Sequence, residues 1–478
     1  MLLRRPSFYP LAFFCALFLF LTILVLQDPF FWDTVQLASG HASFYYFSNF
    51  STLLLPDTID SGHPPLLGLY LAGVWKCFGR TLWVSHLSML PFLFGTVYQA
   101  FRLSTYLFEK KWAFLVMCFL LLDATVLAQA SLVSPDNLLL FFFLLTVNSI
   151  FRRQRGLLFC GILGLGLVSI RGMTLDVALF FFYMVLYRAT YPSFRAFGKD
   201  LLPWIMGGCG GMAFLAFHFW MKGWIGYHID SPWAGSFQFV PIQGFLKNSL
   251  VMMWRLLDFG RISVWLCIGW GLFVLYKSHM AVRKDTKQLM MLFLFVLSFS
   301  APTFLLYKEL NAHRYLIPVY ICASLLAANL TIHVIFIHIQ NRMWVVVFFV
   351  VLLSGNFWVY PDSVSKGWDS SLAYLPYAGL RAKMKAYIAQ EKIPFPQVSS
   401  QFPNLATFDR QELSGDTTRF SSHMLDSPYV FYSNVYNDYS DDELDELKQH
   451  WKIQKEFCKG QVRVTLYKNP RIDSLSKQ

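Results

Sequence analysis

The sequence predicts an all-α polytopic membrane protein of about eleven transmembrane helices, followed by a small C-terminal α/β domain outside the membrane. Three observations predict it. First, 56% of the 478 residues are hydrophobic and 18% aromatic, and only 14% are charged, against roughly 25% charged in soluble proteins. Mean hydropathy is +0.45. A water-soluble core has no room for that much apolar surface, so the bilayer must act as solvent for part of it. Second, charge is segregated. Residues 1–360 hold 25 Lys+Arg against 13 Asp+Glu and carry the whole net +12, while residues 361–478 hold 15 of each. Third, long apolar runs recur, separated by short basic clusters.

A spanning helix takes about 20 apolar residues, fewer when its ends snorkel. Such runs lie near 8–26, 81–107, 112–132, 137–151, 156–171, 174–188, 201–221, 262–276, 288–306, 315–338 and 343–360. The first follows Arg4 and Arg5 and has no small-residue cleavage site. It reads as an uncleaved helix rather than a removed signal peptide. Lys and Arg mark cytoplasmic loops. With Arg4 and Arg5 in the cytoplasm, the clusters Lys110/Lys111, Arg152/Arg153/Arg155, Arg188/Arg195/Lys199, Lys277/Arg283/Lys284/Lys287 and Arg342 share that side, provided 64–79 does not span. That stretch opens on Pro64-Pro65, contains Lys76, and reads as a helix lying in the outer interface. Outer segments then fall at about 27–80, 132–137 and 222–261. The chain divides into a membrane module, 1–360, and a soluble extracytoplasmic domain, 361–478.

In the tail, Ala378–Lys392 and Ser440–Trp451 read as helices, the second opened by a Ser440/Glu443 capping box. Tyr429–Val435 and Val462–Tyr467 alternate like strands. Only Cys458 of the 8 cysteines is in the tail, so no disulfide closes within it; the others read as small core residues. A nucleic-acid partner is excluded, because the basic residues sit between apolar runs rather than on one soluble face.

Acidic residues are scarce in the membrane module, so each is informative. Asp33 ends Phe30-Phe31-Trp32-Asp33, just past the first run. A carboxylate among interfacial aromatics is costly unless paired or used. It is either an ion-pair partner or a general base, whose partial burial makes it a better proton acceptor. Asp136, in Ser134-Pro135-Asp136-Asn137, stands at a helix start and is either a cap that offsets the helix dipole or a site residue. Asp60 and His63 close the first outer loop and can face one pocket, although one Asp and one His make a poor metal site. Outer basic residues also need a reason. Arg171 ends one predicted helix, and His313-Arg314-Tyr315 opens another. They either snorkel or pair with acids, or they grip phosphate through the guanidinium fork. Asp123 and Asp176 lie within predicted spans and are expected to pair or hydrogen-bond inside the bundle.

Trp32-Asp33, His63-Pro64-Pro65-Leu66, Pro135-Asp136, Arg171 and His313-Arg314-Tyr315-Leu316-Ile317-Pro318 occur in that order on one predicted face. The pattern resembles the C-type (GT-C) glycosyltransferases, in the bacterial branch related to dolichyl-phosphate-mannose protein mannosyltransferases and the aminoarabinose transferase of lipid A. The resemblance covers about 1–340. It implies a GT-C-like fold and a polyprenyl-phosphate-linked sugar donor, taken from the outer leaflet. The acceptor hydroxyl belongs to a lipid, glycan or protein. Asp33 is implied as catalytic base or acceptor-orienting group, and Asp136 as a second carboxylate that supports substrate binding at the same cavity. Arg171 and Arg314 are implied as ligands of the leaving phosphate, with Asp60, His63, His313 and Tyr315 lining the substrate site. Transfer in one displacement inverts the anomeric centre.

No cofactor is implied, and a divalent metal stays open. For a bacterial host the resemblance places the protein in the inner membrane, N-terminus cytoplasmic and tail periplasmic. The chain lacks a sequon-binding motif and the repeated domains of eukaryotic protein mannosyltransferases, which leaves the acceptor open. It also lacks any P-loop or Rossmann fingerprint for a nucleotide. The competing reading is a lipid or solute transporter or flippase. Transporters favour internal repeats and midplane charges, whereas these charges gather at one interface.

Overall fold

The computed structural model describes residues 8–188, 194–231, 233–338, 343–362, 368–422, 427–435 and 439–470. Arg4, Arg5 and Arg342, on which the predicted orientation leans, lie outside them. The membrane module is a bundle of α1 (Tyr9–Leu24), α2 (His41–Phe47), α3 (Leu66–Phe78), α4 (Leu82–Leu87), α5 (Leu90–Leu107), α6 (Ala113–Leu121), α7 (Ala124–Ala130), α8 (Pro135–Arg152), α9 (Arg155–Val168), α10 (Ile170–Tyr187), α11 (Phe194–Lys222), α12 (Ile242–Leu257), α13 (Ile262–Lys277), α14 (Lys284–Leu306), α15 (Ile317–Leu330), α16 (Phe336–His338) and α17 (Met343–Ser354). Phe14, Phe119, Phe143, Phe182 and Phe304 fill its interior. The outside is apolar too: in α17 only Phe348 and Leu352 are buried, and Val346, Val347 and Val350 face outward. A helix apolar all round belongs in lipid, and the chain is a multi-pass membrane protein.

Every predicted apolar window contains helix, but the windows do not all hold unbroken ones. Among the described residues 4 helices are long and apolar enough to cross a membrane, or 6 if each of two sharply bent pairs is one span. Hydropathy does not register backbone breaks. The 81–107 window divides into α4 and α5 because Pro91, near the start of α5, cannot donate the helical bond and its ring crowds the preceding turn. The 112–132 window bends by 78° between α6 and α7. There Asp123 leaves the helix to cap α7, accepting from the Thr125 and Val126 amides, and pairs with Arg261 through Nε at 2.7 Å. The 222–261 segment is not all loop. It holds α12, bent by 86° against α13. Asp123 thus pairs as expected. Asp176, buried in α10, instead keeps one carboxylate oxygen without a hydrogen-bond partner among the described residues.

Among the described residues the tail carries four strands rather than the two expected. Their order is β1-β2-β4-β3, with β1 (Val398–Ser399), β2 (Tyr429–Ser433), β3 (Lys452–Lys459) and β4 (Val462–Lys468). β1 and β2 run parallel, and β4 is antiparallel to both β2 and β3. β3 was missed because it is mostly exposed and lysine-rich, an edge strand without apolar alternation. α18 (Pro376–Gln390) covers one face through Leu380 and Met384, packed with Phe431 and Val464. α19 (Asp441–His450), with the capping box expected at Ser440, covers the other through Leu444 and Leu447. The first core also takes in Phe31 and Leu132 from the predicted outer segments. Arg80 pairs with Asp409 at 2.7 Å, and the Phe30 amide donates to the Gln411 carbonyl at 2.8 Å. The tail therefore sits directly on the loops that carry the candidate residues.

Candidate active site

A single cavity, about 770 Å³ with its open mouth included, is lined by Asp33, His63, Asp136, Arg171, Arg314 and Tyr315. Asp33 and Arg314, 281 positions apart in sequence, are brought together there. All three predicted outer segments contribute, the third through Trp233 and Phe237.

Asp33 is set by a locked turn. The Phe31 amide donates to Thr34 Oγ1 at 2.9 Å, and that hydroxyl donates back to the Phe31 carbonyl at 2.6 Å. Trp32 lies in the left-handed region, φ +53°. For a bulky side chain this costs about 1–2 kcal/mol, and it persists only where the surroundings enforce it. The tail does so: Phe31 stacks on Tyr374, centroids 4.6 Å apart, and Trp32 meets Phe402 edge-on. A π-helix, Val35–Gly40, follows; such turns occur often at functional sites.

Asp136 is released from capping. Ser134 caps α8, accepting from the Asp136 amide at 3.2 Å. The carboxylate is free to accept from Arg171 Nη2 at 2.9 Å and to face Arg314 Nε at 3.7 Å. Arg171 opens α10 rather than ending a helix as expected. Ser169 caps that helix, accepting from the Gly172 amide at 3.2 Å, and the chain turns sharply between α9 and α10. The turn leaves no room at Gly172, where an added Cβ would stand 2.0 Å from the Leu165 carbonyl oxygen. Gly172→Ala should therefore destabilise the protein by at least about 1–3 kcal/mol, the usual cost of overpacking. The thermal midpoint in detergent reports it; an unchanged midpoint would mean that the α9–α10 corner yields freely. His63 Nδ1 accepts from the Ile170 amide at 3.4 Å and braces this corner. Burial, helped by the Arg171 charge, pushes its imidazole down to about 3. His63 is therefore neutral near neutral pH and is no cation for phosphate.

Arg314 is the hub. It bonds Asp33 through Nη2, Asp369 through Nη1 at 2.6 Å, and faces Asp136. Side-chain exposure separates the charges. Asp136 and Asp369 are 2% and 0% exposed and Arg314 5%, whereas Asp33 is 15% and Arg171 21% exposed. Arg171 also lies over the Tyr315 ring, 4.2 Å from its centroid. Asp33 and Arg171 are thus the carboxylate and the cation most open to a substrate within this cluster.

Two expected site residues are not in the cavity. Asp60 is buried beside it, held by the Gly62 amide at 2.8 Å, His218 Nε2 at 3.0 Å and Lys222 Nζ at 2.5 Å. Burial alone would raise its carboxyl, but these partners hold it below the usual carboxylate range. It ties the first outer loop to the end of α11. His313 points the other way along the chain from Arg314, to Asp258 at 2.6 Å and Arg255 at 3.2 Å. Adjacent residues in this 3₁₀ turn, His313–Leu316, serve different clusters. Conversely, His41, Ser61, Ser169 and Trp233 line the cavity unforeseen, and the buried Asp369 stands behind Arg314 without lining it. Asp369, in Trp368-Asp369-Ser370, carries no local signal. Among the described residues no group of three or more His, Cys, Asp or Glu is placed to hold a metal ion.

Bundle, bent helices, docked tail and cavity together make up a multi-pass membrane protein with a GT-C-like fold. The chain is similar to the crystal structure of ArnT from Cupriavidus metallidurans bound to undecaprenyl phosphate, an aminoarabinose transferase of that class. The TM-score is 0.52 at 12% sequence identity, over 96% of this chain and 98% of that one. At this identity the likeness establishes the fold. No family model matches the sequence, and no curated protein does either.

Proposed function

We propose that the protein is a glycosyltransferase that moves a sugar from a polyprenyl-phosphate donor to an acceptor hydroxyl at the outer face of the membrane. The observation that carries this reading is the pairing of one accessible carboxylate, Asp33, with one accessible cation, Arg171, in a cavity whose other charges are buried. The acceptor oxygen attacks the anomeric carbon. Its proton passes to Asp33, the bond to the lipid phosphate breaks, and the electron pair leaves on that phosphate, inverting the centre. Acid–base help of this kind contributes about 10²–10⁴-fold. Growing charge on the leaving phosphate is stabilised by a fixed cation. Arg171 suits that role better than Arg314, since Arg314 already answers to three carboxylates. An apolar cleft lined by Leu139, Leu175, Phe304 and Pro318 shares Arg171 and Tyr315 with the cavity and suits the first isoprene units. The undecaprenyl phosphate bound by ArnT supports the same donor class. Asp136 orients Arg171, and the acceptor is a hydroxyl-bearing lipid, glycan or protein.

The protein reconstituted in lipid should transfer sugar from a polyprenyl-phosphate donor, and cells lacking the gene should lose one glycosylated product in mass spectra of their glycolipids and glycoproteins. No transfer together with an unchanged product profile would defeat the proposal.

A further inference from the structure

Asp369 is fully buried, and Arg314 Nη1 meets it at 2.6 Å. It comes from the segment that follows the last membrane helix, far in sequence from the outer loops. Burial, opposed by Arg314 and reinforced by the charges of Asp33 and Asp136, holds its carboxyl above the usual carboxylate range. A buried carboxylate is retained only where its partners compensate its lost hydration.

The segment around it, Trp368–Ser370 and Leu372–Tyr374, is bound to α7 and to the turn that presents Asp33. Gln129 Nε2 donates to the Asp369 carbonyl at 2.8 Å, and Thr125 Oγ1 donates to the Ser370 carbonyl at 3.1 Å. Both donors belong to α7, whose end leads to Ser134 and Asp136. Gln129 also accepts from Ser134 Oγ at 2.5 Å, so one side chain joins the segment to the α8 cap. Tyr374 meets Ser131 Oγ at 2.8 Å and stacks on Phe31, in the turn that presents Asp33. Thr125 in turn accepts from Arg261, which holds the Asp123 cap of α7.

We propose that Asp369 is a positioning residue for the transfer step. By holding one amino group of Arg314 it keeps the other on Asp33, so that a segment leading into the tail sets the orientation of the base. This rests on the reading of Asp33 as the base. Arg314 pivots on three carboxylates from three parts of the chain. With Asp369 gone, Arg314 can swing toward Asp136 and carry Asp33 out of line with the acceptor. A displacement of about 1 Å at a reacting group can cost about 10²-fold in rate.

The test is a double-mutant cycle on the full-length protein in lipid, assayed with an undecaprenyl-phosphate sugar. Asp369→Asn keeps the shape and removes the charge. It should lower kcat by about 10- to 100-fold and leave the donor KM within about threefold, because Arg171 is untouched. Arg314→Lys with Asp369→Asn should be no slower than Arg314→Lys alone, the non-additivity expected of residues acting as a unit. Asp369→Glu, which restores the charge, should recover part of kcat, and it decides the matter if the Asn variant does not elute as a monodisperse protein. Multiplicative losses, a change confined to KM, or Glu no better than Asn would overturn the positioning role while leaving the transferase reading intact. No transfer by the wild-type protein would overturn both.

Discussion

Asp33→Asn is expected to leave a folded protein that transfers sugar about 10²–10⁴-fold more slowly, the usual contribution of a positioned base. Folding should survive for a specific reason. Arg314 loses one carboxylate but keeps Asp369 and Asp136, so no buried cation is stranded. The amide fills the same space in the turn closed by Thr34. The donor KM should hardly move, because Asn removes a proton acceptor and not the phosphate ligand. Single-turnover transfer with pre-bound donor measures the step directly. A rate within about threefold of wild type, far inside the range expected for base catalysis, would take Asp33 out of the chemistry.

Arg171→Ala should act on the other partner. A hydrogen bond to a charged group contributes about 1.5–3 kcal/mol, which corresponds to about 10–150-fold in donor affinity. Undecaprenyl phosphate binding, followed by competition against a labelled polyprenyl phosphate, should weaken by that factor. Part of the loss would come indirectly, since among the described residues the cation left facing Asp136 would be Arg314, through Nε at 3.7 Å. Arg171→Lys separates the contributions. It keeps the charge but not the planar fork, so affinity should recover only in part. Unaltered lipid binding in the Ala variant would move the phosphate elsewhere in the cavity.

Much of the site was legible because its signals are local. Asp33, Asp136 and Arg171 stand out as charges beside apolar runs, where a charge needs a reason, and all three line the cavity. Ser134-Pro135-Asp136 left two roles open, cap or site. The structure divides them, since Ser134 takes the cap and frees the aspartate. Asp60 and His313 misled because proximity in sequence stood in for proximity in space. Asp60 lies three residues from His63, yet its carboxylate turns to His218 and Lys222 on α11. His313 adjoins Arg314 and faces a different cluster.

What the sequence determined by itself is the solvent of this protein and the places where charge breaks the rule of that solvent: a lipid-embedded helical bundle, a folded polar tail, and isolated carboxylates and arginines at helix ends. These follow from transfer energies and backbone chemistry, which act over a few residues. Only the tertiary structure decided which charges neutralise one another. Arg314 meets Asp33 from 281 positions away and Asp369 from 55. That pairing assigns Arg314 to hold the cavity together and leaves Arg171 open. Electrostatic partnership depends on distance through space, and the chain's order does not encode it until the helices pack.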